Sequence, residues 1–183
     1  MATAQGEWSE EQYLVLTDHR NQLMEFTDGF MEAMPWPTDH HQAVLGFLHL
    51  ALFQFIKPRG GKVLFAPLRL RLRPGKYREP DLLLLLSASD PRRQNRFWIG
   101  ADFVAEVVSP DNPERDLTQK RADYAEGGIP EYWIVNPLDE TITVLTLQGA
   151  AYVEAGQFRR GQTAGSVLLA GFAVEVAAVF DAD

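Results

Sequence analysis

An acid interrupts the apolar stretch Phe103-Val104-Ala105-Glu106-Val107-Val108, and a second acid, Asp81, heads the run Leu82-Leu83-Leu84-Leu85-Leu86. Burying an ionised carboxylate is costly unless it is paired, hydrogen-bonded or metal-bound. Two strands that each carry one acid into a core therefore point to a built site. Carboxylates brought close together repel, and need a cation between them or a shared proton. Magnesium suits such all-oxygen ligation, with waters and substrate phosphate oxygens completing its shell. Asp81 and Glu106 are thus a candidate divalent-metal pair, suited to phosphodiester cleavage. Blander readings stand beside this one. Asp81 follows Pro80 and can cap a turn, and Glu106 can be a buried acid paired with an arginine such as Arg71.

The elements that must position these acids are legible in outline. Ser9-Glu10-Glu11 before Tyr13-Leu14-Val15-Leu16 predicts a short capped helix, and Asp28-Gly29 predicts a hairpin turn between strands at 22–27 and 30–34. Thr38-Asp39 caps a long helix over 40–57, whose apolar stripe is Val44, Leu45, Leu48, Leu52, Phe53 and Ile56. Strands are expected at 63–66, 68–73, 81–87 and 102–109. A helix follows, with Asn112-Pro113 at its start and Gly127-Gly128 at its end. Further strands are expected at 131–136, 141–147, 152–158 and 167–174, and residues 167–180 are a candidate sheet edge or dimer surface. This is a mixed α/β order, expected to form one domain over residues 1–183.

Composition sets limits. The chain has 183 residues, 46% hydrophobic and 23% charged, as expected of a soluble globular protein. It has zero cysteines, which excludes disulfides, thiolate metal sites and cysteine nucleophiles. The first eight residues carry neither a basic start nor an apolar core, and no apolar run approaches the ~18 residues that span a bilayer. A cytoplasmic protein without a membrane segment is the expectation. The net charge of −8 counts against nucleic-acid binding, which normally needs a positive footprint. Yet Leu68-Arg69-Leu70-Arg71-Leu72-Arg73 alternates strictly, placing Arg69, Arg71 and Arg73 on one strand face. That face is either a solvated, aggregation-resistant surface or a local basic groove for nucleic acid.

The segments Glu79-Pro80-Asp81-Leu82 and Glu106-Val107-Val108-Ser109-Pro110 resemble the Uma2 family of restriction-endonuclease-like proteins. The run Arg115-Asp116-Leu117 through Lys120 and Tyr124 to Gly127-Gly128-Ile129-Pro130-Glu131-Tyr132-Trp133 is similar too. So is Asp28-Gly29 through Met34-Pro35, with His41-Gln42 opening the long helix. The resemblance spans about residues 26–135. It implies a PD-(D/E)xK nuclease fold: a mixed β-sheet core flanked by helices, here with an N-terminal hairpin and helix and extra C-terminal strands. It also implies Asp81 as the first acid, Glu106 as the second, and the backbone carbonyl of Val107 as a further ligand for Mg²⁺, with Mn²⁺ as a substitute. The motif's lysine would stand at Val108, so Lys120 on the following helix is its natural replacement. Leu117, Lys120 and Tyr124 share a face by spacing, although Asp116 and Lys120 also stand at i, i+4 and can be a simple surface ion pair.

Glu32 and His41 are candidate outer members of the site, and Gln119 a candidate water-orienting group. Adjacent His40 and His41 point about 100° apart on a helix and do not make a zinc site. Ser109 lacks the glycine-flanked elbow of a serine hydrolase. The function expected is a Mg-dependent endonuclease acting on nucleic acid, DNA first, as a homodimer. The alternatives are a noncatalytic adaptor on the same fold that binds nucleic acid or protein, and buried acids that serve only fold specificity.

Overall fold

The computed structural model of the chain describes residues 4–19 and 22–183. Helix α1 (Glu10–Thr17) opens with a capping box, in which Ser9 accepts from the Gln12 N–H and the Gln12 side chain accepts from the Ser9 N–H. Strands β1 (Met24–Thr27) and β2 (Phe30–Ala33) form the expected hairpin. Asp28 and Gly29 between them have φ of 47° and 91°, as a two-residue turn that follows strand twist requires. Thr38 caps α2 (Asp39–Ile56), whose buried residues are Val44, Leu45, Leu48, Leu52 and Ile56; Phe53 is only partly buried.

Strands β3 (Lys62–Phe65), β4 (Leu70–Arg73), β5 (Lys76–Arg78), β6 (Leu82–Leu85) and β7 (Phe103–Val107) follow. A π-helical turn at Arg115–Gln119 then leads into α3 (Lys120–Glu126), and β8 (Glu131–Asn136), β9 (Thr141–Gln148) and β10 (Ala151–Arg159) complete the main sheet. That sheet has the order β10-β9-β8-β7-β6-β3, with β7 and β8 parallel and the other neighbours antiparallel. A second sheet, β2-β1-β5-β4, contains a strand that sequence spacing does not reveal. β5 is only three residues long, too short for alternation to show.

The leucines of β6 are buried on both faces. Leu82 and Leu84, with Phe103, Ala105 and Val107, pack against the α2 stripe. Leu83 and Leu85, with Val104 and Val108, pack against Leu70, Trp98, Tyr124 and Tyr132. A central strand covered on both sides reads as a continuous apolar run rather than as alternation. Among the described residues, no helix is long and apolar enough to cross a membrane.

Of the segment expected as a strand over 167–174, only 173–174 lie in one; 167–172 form the loop between two short strands, β11 (Thr163–Gly165) and β12 (Ala173–Glu175), and α4 (Val176–Phe180) follows. Buried Glu131 explains the difference. Its carboxylate accepts from the backbone N–H groups of Val167 and Leu168, the Ser166 hydroxyl and the Trp133 indole N–H. Backbone donors that bind a carboxylate are lost to a strand ladder. Replacing Glu131 by alanine strands these donors and is expected to cost about 2–4 kcal/mol, with Glu131→Gln losing less. Denaturant titration of the two variants checks this, and equal losses would refute it.

Candidate active site

Cross-strand register brings the two acids together. Leu82 of β6 pairs with Ala105 of β7, so one step further along this antiparallel ladder Asp81 stands opposite Glu106, with both side chains on the same face. Each acid also binds the other strand's backbone. The Asp81 N–H donates to Glu106 Oε2 at 3.3 Å, and the Val107 N–H donates to Asp81 Oδ2 at 2.8 Å.

The helix after β7 supplies the cation. Lys120 Nζ lies 2.9 Å from Glu106 Oε2 and 3.1 Å from Asp116 Oδ1. The Tyr124 O–H donates to Glu106 Oε1. Asp116, Lys120 and Tyr124 are all buried, whereas Leu117 is 37% exposed. This corrects the face expected from α-helical spacing. The π turn holds one more residue per turn than an α-helix, so Asp116 takes the inward position assigned to Leu117. The i, i+4 pair of Asp116 and Lys120 does form, but it is buried and shared with Glu106. Arg71, the alternative partner for Glu106, instead binds Glu10 of α1 at 3.2 Å.

The two carboxyls are driven apart in acidity. Burial alone would raise Asp81, but the bond from His41, with Lys120 and the Val107 N–H, outweighs it and holds Asp81 below the ordinary range. Burial pushes Glu106 above its ordinary range, with Lys120 pulling against Asp81 and Asp116. Burial opposes the charge on Lys120, yet Glu106, Asp116 and Glu25 together hold its ammonium firmly protonated. His41, from the first turn of α2, places Nε2 3.2 Å from Asp81 Oδ2.

These groups line a cleft of about 780 Å³ that also includes Glu32, Glu79 and Arg115. Glu32 is exposed and ion-paired to Arg115 at 2.6 Å. Gln119 is exposed and lies outside the cleft lining. The arginine face is occupied by the protein's own acids: Arg69 binds Asp18, Arg71 binds Glu10, and Arg73 binds Asp28 and Glu126. Among the described residues, no group of three or more His, Asp or Glu is arranged to hold a metal ion. Two carboxylates are present. Magnesium commonly takes one or two and fills the remaining positions with water and phosphate oxygens, so the oxygen donors of Asp81 and Glu106 fit such an ion.

The profile of the Uma2 family, described as "Putative restriction endonuclease", matches residues 10–177. The chain belongs to the Uma2 family. No curated protein matches it. Among solved structures, it is similar to a protein from Anabaena variabilis ATCC 29413 described as "a putative nuclease belonging to DUF820". The TM-score is 0.72 at 19% identity, over 86% of this chain and 89% of that one. That likeness is one of fold: the mixed sheet flanked by helices is shared.

Several residues around this Uma2 cleft escape the sequence reading. Residue spacing marks Asp116 only as a surface partner for Lys120, and Tyr124 only as sharing its face; it reveals neither the burial of Asp116 nor the bond from Tyr124 to Glu106. Glu25 of β1 is buried, ion-paired with Arg78, accepts from Arg115, and lies 4.0 Å from Lys120 Nζ. Its signal was available, since Met24-Glu25-Phe26 places an acid inside an apolar strand just as Glu106 does.

Glu79 is also buried, and accepts from the Met24 N–H at 2.8 Å. Burial raises its pKa from 4.5 to about 7, the Met24 N–H pulling back and Glu25 adding to the rise. The folded chain therefore keeps a proton that the unfolded chain releases, and stability falls as pH rises from 4.5 to about 7. Glu79→Gln keeps the acceptor and removes the charge. It is expected to lose this slope and to exceed the wild type above that window by up to about 3 kcal/mol. Denaturant titrations on either side of the window compare the two proteins, and equal slopes would count against the assignment.

Proposed function

We propose that this Uma2 protein is a metal-dependent endonuclease that hydrolyses phosphodiester bonds of nucleic acid, DNA in the first instance. The observation that carries this reading is the convergence of Asp81, Glu106 and Lys120 from three separate segments into one cleft, with Lys120 Nζ 2.9 Å from Glu106. An acid pair with an adjacent buried ammonium is what phosphodiester hydrolysis needs: oxygen ligands for a cation and a fixed positive charge.

Asp81, Glu106 and the backbone carbonyl of Val107 would hold Mg²⁺, with Mn²⁺ as a substitute. Such an ion, when bound, polarises the scissile phosphate and lowers the pKa of an attacking water. Lys120 orients that water and offsets charge on the pentacovalent transition state. Asp116 and Glu106 keep its ammonium charged and aimed. Tyr124 fixes the Glu106 carboxylate, and His41 and the Val107 N–H fix Asp81. Val108, where the simplest motif has lysine, is buried in the apolar layer, which supports Lys120 as the substitute. One such site cuts one strand, so double-strand cleavage implies a homodimer of this domain, acting in the cytoplasm.

Nicking of supercoiled plasmid in magnesium or manganese tests the proposal, with open-circular product expected and chelator abolishing it. No cleavage of plasmid, single-stranded DNA or RNA with either metal would overturn it. The paired state of Arg69, Arg71 and Arg73 favours one alternative, a noncatalytic adaptor, because it removes an obvious duplex-binding face. An adaptor would show no cleavage, with partner binding unaffected by Glu106→Ala.

A further inference from the structure

The cleft has an apolar, aromatic mouth that the chemistry of Asp81, Glu106 and Lys120 does not use. Trp36 is 69% exposed and Phe65 49% exposed, and both line the cleft. Large aromatics in water are unfavourable unless something covers them. Trp36 lies between Pro35 and Pro37 in the connection from β2 to α2, and prolines on both sides restrict that backbone before any ligand arrives. The Phe65 ring, at the end of edge strand β3, is held by the His49 ring at 4.7 Å in an edge-on contact. Both faces are therefore presented at little ordering cost.

Charge selects what can cover them. Among the described residues, the basic side chains of the lining are His41, Arg115 and Lys120, and all three are committed to acids: His41 to Asp81, Arg115 to Glu25 and Glu32, Lys120 to Glu106 and Asp116. A duplex presents a phosphate charge every ~1.7 Å of axis and needs a row of free cations. An unpaired nucleotide asks for less. It brings one phosphate to the acid pair and its cation, and an exposed base face that stacks on aromatic rings without sequence preference.

We infer that the cleft receives an unpaired nucleotide, its base stacked on the Trp36 and Phe65 mouth and its phosphate directed to Asp81 and Glu106. The substrate is therefore single-stranded or locally melted nucleic acid rather than intact duplex. This rests on the nuclease reading for the role of the acid pair, while the aromatic mouth is an independent observation.

The test uses a short phosphorothioate-protected oligothymidylate with one 2-aminopurine, alone or annealed to its complement, in magnesium. The wild type is expected to bind the single strand at least about tenfold tighter than the duplex and to quench 2-aminopurine emission. Trp36→Leu is expected to weaken single-strand binding about tenfold and abolish the quench, and Trp36→Phe, which keeps a π face, to retain most of both. Trp36 is exposed, and circular dichroism confirms that the variants fold. Equal binding of both forms, or a quench that survives Trp36→Leu, overturns the inference. Plasmid nicking separates the two ideas. Cleavage without single-strand preference leaves the nuclease and removes the stacking mouth. Trp36-dependent single-strand binding without any cleavage does the reverse.

Discussion

Converting Glu106 to glutamine, or Asp81 to asparagine, is expected to lower metal-dependent nicking by at least about 10²-fold while the protein stays folded. Loss of a group that merely supports a metal ligand already costs about 10–100-fold, and these are the proposed ligands themselves. Both replacements preserve shape, and each keeps a carbonyl oxygen that accepts. An asparagine at 81 still accepts from the Val107 N–H, while the single carbonyl oxygen of a glutamine at 106 accepts from Tyr124 or from the Asp81 N–H, which meet different oxygens of Glu106. What disappears is the anionic oxygen. Melting curves and circular dichroism establish that the variants fold, and the plasmid assay reads the loss. If either variant nicks within about twofold of the wild type, the acid pair is not the cleavage centre.

The second large effect belongs to Lys120→Met, which is expected to remove cleavage and also destabilise the fold by about 3–5 kcal/mol. Methionine fills the space but leaves the buried carboxylates of Asp116 and Glu106 without their shared cation, and breaking a buried pair from one side costs that much. An exposed i, i+4 pair would cost only about 0.3–0.5 kcal/mol. A denaturant midpoint therefore decides between a surface ornament and the buried junction. Adding Asp116→Asn to Lys120→Met should return part of the stability and none of the activity, since it removes an uncompensated charge without restoring an ammonium. A double variant no more stable than the single one would show that the two residues are not coupled.

The acid pair was legible for a physical reason. A carboxylate inside an apolar strand contradicts the surrounding burial, so Glu106 stands out, and Asp81 stands out at the head of five leucines. Glu25 sends the same signal more weakly, because its strand is only four residues long. The leucine–arginine alternation was also readable, with Leu70 buried and Leu68 and Leu72 packed on the same layer. The partners of those arginines were not. Glu10 and Asp18 lie on or beside α1, far away in sequence, and charge complementarity over such a distance leaves no local pattern. The C-terminal segment was misread because its apolar residues favour a strand, whereas Glu131, which claims its backbone donors, sits more than thirty residues upstream.

The π turn explains one more misreading and has a wider consequence. Within it, Arg115 pairs with Glu25 and Glu32 of the β1–β2 hairpin, and Asp116 with the Lys120 ammonium beside Glu106. After it, Asp123 and Glu126 bind Arg78 and Lys76 of β5 and Arg73 of β4. One stretch of chain thus answers two sets of neighbours whose angular positions do not match under a uniform helical pitch, and the widened turn is the seam that absorbs the mismatch. Most surface loops accept a lost or gained residue with little harm. Here, deleting one residue would turn one half of the helix by about 100° relative to the other, so either the partners on β1 and β2 or those on β5 and β4 would be lost. Length, rather than side-chain identity, is the property that this segment can least afford to change.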